Sequence, residues 1–404
     1  MTATPPPRVE GEQSLLGPLM ATYPPPVVTF ARGEGCWLWD TDGRRYLDFF
    51  SGIAVTSLGH CHPAVADAVS AQAHTLVHVS NHFGTTVGPE VATTIDRLIG
   101  DGTPAGGKVF FANSGAEANE CAIKLARRFA GPGRHEVVSA YGSFHGRTLA
   151  TLAATGQPAK HEPFQPLPPG FRYVAWDDPG DLERALDPTV AAVLLEPVEG
   201  EGGVVTAAPG FLAEVRRLCD EREILLICDE VQTGFGRTGR WFGFQHEGVV
   251  PDVVTMAKAL GNGMPIGACW ARSEVAAAFR PGDHGSTFGG QPLAASAARA
   301  TLAVMEAEDV PARAERAGDR LRESLAGLPG VVRVRGLGLL LGAVLTRPVA
   351  SEVAASAMAS GLVVNAVAPD VVRLSPPLLV TDEEIDQATG ILAQVLASTF
   401  GGSQ

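Results

Sequence analysis

The 404-residue chain predicts an α/β fold: a large unit with a mostly parallel sheet between layers of helix, joined to a smaller α+β unit. Three observations carry that expectation. Short apolar runs alternate with helix-period segments through the middle of the chain. Near residue 293 the alternation gives way to a long helix, a strand pair and a closing helix. The length also exceeds what one small core takes up and suits two units.

Taken in order, residues 1–26 are rich in Pro and Gly and read as a loosely ordered arm. Residues 27–50 alternate around Asp40-Thr41-Asp42-Gly43 and predict a hairpin with an Asp-Gly turn. Val109–Ala112 is a short strand and Gly115–Phe129 a helix. Val190–Leu195 is a strand stopped by Pro197, Phe211–Glu221 a helix, and Ile224–Cys228 and Val253–Ala257 are buried strands. Pro292–Glu308 is Ala-rich and helical. Val331–Val344 reads as two strands broken at Gly336 and Gly338, followed by a helix at Ser351–Ala359, a strand at Val371–Leu374 and a helix at Glu383–Ser398. The N-terminal hairpin is expected to pack with the C-terminal unit, giving a division at 1–60, 61–292 and 293–404.

Composition narrows the function. Hydrophobic residues at 45% and charged residues at 19% are ordinary for a globular chain, and a formal charge of −13 argues against a nucleic-acid surface. No uncharged apolar run is long enough to span a membrane, and no signal peptide is visible. Six cysteines form no CxxC pair and several lie in apolar runs, which suits reduced thiols in a cytoplasmic protein. Only four lysines are present: Lys108, Lys124, Lys160 and Lys258.

Several motifs are decoys. Gly102–Lys108 matches GxxxxGK but lacks the following Ser or Thr and precedes a strand, not a helix. Gly234–Gly239 matches GxGxxG but leads into Arg-Trp-Phe-Gly, a poor helix start. His60-Cys61-His62 has no second cluster at metal-ligand spacing and reads as a turn ended by Pro63, so no metal is expected.

The informative residues fall at equivalent edges of successive strands. Asn113-Ser114-Gly115-Ala116 follows a strand and opens a helix. It reads either as a plain capped helix or as an anion cradle made of Ser114, Gly115 and the free N–H groups. Asp229 ends one apolar strand, where a carboxylate either caps a helix or pairs with a cation. Lys258 ends the next, where an apolar wall disfavours its charged form. The other lysines lack this setting: Lys124 sits mid-helix and reads as solvated, Lys160 lies in a Pro-rich loop, and Lys108 precedes a strand. Ligands of open α/β sheets bind at this edge.

With these residues in view the chain resembles the class-III group of fold-type I pyridoxal-phosphate aminotransferases, and within it the acetylornithine aminotransferases. The matching motifs include Gly59-His-Cys-His-Pro63, Asn113-Ser-Gly-Ala-Glu-Ala-Asn-Glu120, Phe144-His-Gly-Arg-Thr148, Glu196-Pro-Val-Glu-Gly-Glu-Gly-Gly203, Asp229-Glu-Val-Gln-Thr-Gly234, Ala257-Lys-Ala-Leu-Gly261, Gly285-Ser-Thr-Phe-Gly-Gly290 and Val372-Arg-Leu-Ser-Pro-Pro377. The resemblance implies a seven-stranded large-domain sheet and pyridoxal 5'-phosphate held covalently by Lys258. It implies that Asp229 pairs with the pyridine nitrogen, Gln232 lies near the ring hydroxyl and Phe144 stacks on the ring. Ser114, Gly115 and Ala116 would hold the phosphate, and Thr287 would reach the phosphate of the neighbouring subunit in a homodimer. Arg147 is implied to grip the donor α-carboxylate and Arg373 that of glutamate, with Glu201 neutralising Arg373 when it is not needed. Ile53 falls where ornithine aminotransferases use Tyr, which favours an acylated donor.

The implied reaction moves the terminal amine of N2-acetylornithine to 2-oxoglutarate, a step of arginine biosynthesis. Succinylornithine, N-succinyl-diaminopimelate, ornithine and γ-aminobutyrate remain alternative donors, and an aminomutase or racemase is an alternative chemistry on the same fold. A non-catalytic regulatory protein would need an added module, and the chain shows none. Asn262 and Gln291 depart mildly from the family pattern.

Overall fold

The computed structural model describes residues 18–401, so the first part of the expected arm lies outside the described residues. Its largest sheet has seven strands, in the spatial order Gly107–Ala112, Gly267–Arg272, Val253–Met256, Leu225–Asp229, Val190–Leu195, Glu136–Ala140 and Phe171–Val174. Six run parallel; Gly267–Arg272 alone is antiparallel to both its neighbours. Every residue of Val190–Leu195 and Leu225–Asp229 is buried, which is why these central strands read as unbroken apolar runs.

The helix Gly115–Ala130 crosses one face of this sheet. It buries the small side chains Ala118, Cys121, Ala122 and Ala126, which let it lie close to the strands. Gly267 permits a close approach of the helix start, since a Cβ there would stand 2.4 Å from the Ser114 carbonyl oxygen. On the other side, Pro292–Ala307 packs against the helices Pro63–Thr75 and Val87–Ile99.

The expected N-terminal hairpin is a three-stranded meander, Phe30–Glu34, Trp37–Asp40 and Arg45–Asp48. The Asp-Gly turn lies between the second and third strands. There Gly43 adopts φ 82° and the Asp40 side chain accepts hydrogen bonds from the Asp42 and Arg44 amides. The third strand pairs in parallel with Leu362–Val363, so the meander joins the C-terminal part of the chain. A second antiparallel sheet, ordered Val331–Leu337, Leu340–Leu345, Val371–Leu374 and Asn365–Ala368, is covered by the helices Val310–Ala326, Ala350–Ala359 and Asp382–Phe400.

One segment defies local preference. Ser51, Gly52, Ile53 and Ala54 all take φ between 50° and 68°, a left-handed turn that costs a non-glycine residue about 1–2 kcal/mol. Buried Asp48 supports it by accepting from the Phe50 and Ser51 amides at 2.9 and 2.8 Å. The other Asp48 oxygen lies 2.7 Å from His60 Nε2. His60 thus belongs to this turn, and His62 occupies the N-cap position of the helix that starts at Pro63 without a side-chain capping bond. The two departures from the family pattern are also structural. Asn262 bonds Leu58 N and Gly59 O, and Gln291 bonds Val79 N and Asn81.

Candidate active site

Three strand ends of the large sheet converge on one cavity of about 250 Å³. The strand Gly107–Ala112 leads to Ser114, whose hydroxyl accepts from the Glu117 amide at 3.2 Å and caps the helix beginning at Gly115. Gly115 and Ala116, the first residues of that helix, line the cavity with their N-terminal amides short of intrahelical partners. A Cβ on Gly115 would come within 2.8 Å of both methyl groups of Val231, so the bare backbone lets Val231 close over the helix start. Phe144 and Val231 supply apolar wall.

Asp229 ends the central strand, is 3% exposed, and is held from three directions. Its Oδ2 accepts from Asn119 Nδ2 at 2.7 Å and lies 2.8 Å from His145 Nδ1, while Oδ1 accepts from the Val231 amide at 3.1 Å. Asn119 is itself fixed: its Oδ1 accepts from the Thr255 hydroxyl at 2.6 Å, and its Nδ2 also donates to His145 O at 2.8 Å. A carboxylate has about four acceptor sites, so these contacts leave room for one further donor.

Lys258 follows the next strand. It sits at φ 42°, outside the region ordinary side chains prefer, which turns its side chain off the strand and into the cavity. Burial pushes its ammonium down to about 8, with Arg373 adding to the effect and Glu201 opposing it. Glu196, also on the cavity wall, is pushed up to about 8 by burial; it accepts from the Phe144 amide at 2.9 Å and orients that loop.

Glu201 lines the cavity, whereas Arg373 lies beyond it, 1% exposed, with Nη1 donating to Glu201 Oε1 at 2.5 Å. Burial raises the Glu201 carboxyl, but Arg373 outweighs it and holds the group below its usual range. Gln232 Oε1 and Asn365 Oδ1 accept from the same guanidinium at 3.3 and 3.1 Å, and Nη2 is buried without a partner. Arg147 also lines the cavity; it is exposed, with its guanidinium 5.6 Å over the Phe144 ring.

Of the residues singled out from sequence, Gly115, Ala116, Phe144, Arg147, Glu201, Asp229, Gln232 and Lys258 meet at one cavity. Ser114 and Arg373 stand directly behind it. Thr287 and Ile53 do not line it. Thr287 is exposed in a separate groove of about 1000 Å³, and Ile53 sits in the left-handed turn. Sequence reasoning passed over His145, Asn119, Glu196 and Val231. Each lies inside a quoted motif, but nothing in residue type alone says that it faces Asp229 or the cavity.

A mostly parallel sheet whose strand ends bring a buried lysine and a carboxylate to face a helix N-terminus defines a cofactor-dependent transferase site. Residues 20–396 match the family described as Aminotransferase class-III, and the chain belongs to that family. It is 50% identical to the acetylornithine aminotransferase of Corynebacterium efficiens over 94% of this chain and 95% of that one. It is 49% identical to the acetylornithine aminotransferase of Gloeobacter violaceus, over 94% and 96%. Among solved structures, N-acetylornithine aminotransferase from Stenotrophomonas maltophilia superposes with TM-score 0.81 at 38% identity, covering 93% of this chain and 97% of that one. The ornithine aminotransferase from Toxoplasma gondii superposes with TM-score 0.89 at 35% identity, covering 95% and 93%.

Proposed function

We propose that this chain moves the terminal amino group of N2-acetylornithine to 2-oxoglutarate, giving N-acetylglutamate 5-semialdehyde and glutamate in arginine biosynthesis, with pyridoxal phosphate at Lys258. One observation carries the reading: a buried lysine of lowered basicity, a fully oriented carboxylate and an open helix N-terminus share one cavity. Relatives 50% and 49% identical to this chain, named for acetylornithine, support the choice of donor.

The residues present fit this cofactor. The helix start from Ser114 to Ala116 offers amides to a phosphate. Asp229 retains one acceptor site for a protonated ring nitrogen. Phe144 and Val231 suit the faces of a flat ring. Pyridoxal phosphate, when bound, supplies an electron sink for charge developing at the amine-bearing carbon.

The chain's own residues do the rest. Asp229, fixed by Asn119 and His145, keeps the ring nitrogen protonated. The Lys258 amine, neutral in an appreciable fraction near pH 8, takes the proton from the amine-bearing carbon of the donor and later returns it. Arg147 receives the donor α-carboxylate. Glu201 covers Arg373 while the reacting end of the donor carries no carboxylate, and swings aside to let Arg373 take a carboxylate of glutamate. The buried, unpartnered Nη2 of Arg373 then gains an acceptor.

A homodimer completes this reading. Phe83 and Phe288 are 71% and 63% exposed beside the groove that holds Thr287, a surface apolar enough to take a second copy. No helix among the described residues is long and apolar enough to cross a membrane, and with six unpaired cysteines a cytoplasmic setting is the one we adopt.

The test is a donor panel of N-acetylornithine, succinylornithine, ornithine, γ-aminobutyrate and N-succinyl-diaminopimelate against 2-oxoglutarate. The highest kcat/KM belongs to N-acetylornithine. Another donor preferred about tenfold or more, or conversion without any acceptor, overturns the assignment.

A further inference from the structure

Lys160 is a cation that the mechanism above leaves unused; it does not line the cavity, but its turn adjoins the loop that carries Phe144 and Arg147 to it. Its turn is stitched to the loop that leads into Phe144. The Gly142 amide donates to Gly156 O at 2.9 Å, the Gly156 amide to Ser143 Oγ at 3.1 Å, and Gln157 Nε2 to Gly142 O and Ser143 O at 3.2 and 3.0 Å. Gln157 Oε1 accepts in turn from the Lys160 ammonium. The tether is thus Lys160 to Gln157 to the Gly142–Ser143 backbone, and the same loop continues through Phe144 to Arg147 at the cavity.

Lys160 is half-buried, and its ammonium is held below the usual lysine range by burial first and by the charge of Arg147 second, with Glu201 opposing. Among the described residues neither Lys160 nor Arg147 forms an ion pair with a carboxylate. In a chain of net charge −13, two neighbouring cations without carboxylate partners are not a by-product of excess basic residues. One donor of the ammonium is spent on Gln157, leaving two for a ligand.

We propose that Lys160 selects for an acylated α-nitrogen: with Arg147 it forms a cationic rim that attracts the donor's α-carboxylate and repels a free α-ammonium. The proposal rests on the reading of Arg147 as the α-carboxylate site. Ornithine carries a carboxylate and an ammonium on the same carbon, so a rim of two cations gains from one and loses to the other. Acylation removes the positive charge and leaves a carbonyl oxygen that Lys160 can donate to. The rim therefore discriminates by repulsion as well as attraction. The scaffold faces this choice, since its structural relatives include both ornithine and acetylornithine aminotransferases.

The experiment compares kcat/KM for N-acetylornithine and ornithine in the wild-type holoenzyme and in Lys160→Met, Lys160→Glu and Lys160→Arg, with cofactor loading read from the visible band. The acyl preference falls about tenfold in Lys160→Met, as for the loss of a unit charge screened by a partly exposed site. It falls further in Lys160→Glu and is kept in Lys160→Arg. Calorimetric binding of Nα-acetylnorvaline, which lacks the terminal amine, weakens about tenfold in Lys160→Glu. An acyl preference and a binding constant both unchanged within about twofold in a fully loaded Lys160→Glu protein overturn the proposal. If the wild type uses neither donor, the donor assignment falls, and the calorimetric comparison still decides the role of Lys160.

Discussion

Replacing Glu201 by Gln removes the charge covering Arg373 while keeping the shape of the side chain. In the resting structure Arg373 is almost wholly buried and its partner is 29% exposed, the carboxylate lying between the cavity and the guanidinium. A glutamate carboxylate reaches Arg373 only after displacing that contact. A pair at this kind of site is worth about 4 kcal/mol of Coulomb attraction at 4 Å. If hydration of the released Glu201 returns about half, the remaining ~2 kcal/mol corresponds to roughly 30-fold in affinity. Glu201→Gln therefore binds glutamate roughly 30-fold more tightly, whereas kcat/KM for N-acetylornithine falls about tenfold because an uncovered cation faces an uncharged part of that donor. Single-turnover absorbance of each half-reaction measures both constants. Glutamate binding that is unchanged or weaker, with the other half-reaction intact, refutes the gate. Because the amide still accepts from Arg373, the melting temperature moves by only a few degrees.

Further outcomes follow from the same geometry. Arg147→Ala lowers kcat/KM in both half-reactions by about 100-fold, whereas Arg373→Ala does so for glutamate alone, as substrate-specific kinetics check. His145→Ala loosens Asp229 from one side and lowers kcat about 100-fold with little change in KM; an unchanged kcat contradicts a positioning role. Capture of pyridoxal phosphate by the apo-protein needs the neutral Lys258 amine. Its pKa is lowered to about 8, so the amine is mostly protonated below that pH, and the capture rate rises about tenfold per pH unit up to roughly pH 8 and then levels off. A rate that instead climbs steadily to pH 10 contradicts the lowered basicity. Thr287→Ala weakens cofactor retention, and mixing it with Lys258→Ala yields heterodimers in which one site has lost both residues and the other neither; recovery of activity by mixing checks the shared site.

The parts of the fold legible in the sequence are those where one physical demand dominates. Val190–Leu195 and Leu225–Asp229 are buried on both faces, so they read as continuous apolar runs, and the Ser114 cap has a side-chain signature. Gly267–Arg272 is not legible locally because Gly-Ala-Cys-Trp-Ala-Arg has no β-branched residue; it is a strand because it fits between two others and because Gly267 admits the Ser114 backbone. The left-handed turn at Ser51–Ala54 runs against the preference of Ile53 and depends on Asp48, a partner the local pattern does not indicate. Lysines show the same limit. Lys258 is legible from its place at a strand end, which the structure keeps, whereas Lys160 reads as a loop residue but sits in the short helix Pro158–His161, and its tether to Gly142 and Ser143 through Gln157 is a tertiary fact. Lys124, read as solvated, is exposed yet also donates to the Asp283 carbonyl.

The most direct measurement is borohydride reduction of the holoenzyme followed by peptide mapping. The purified protein is yellow, reduction bleaches the visible band, and the pyridoxyl mass increment falls on Lys258, one of only four lysines in the chain. A label on Lys108, Lys124 or Lys160, or a protein that gains no visible absorption when pyridoxal phosphate is added, contradicts the account.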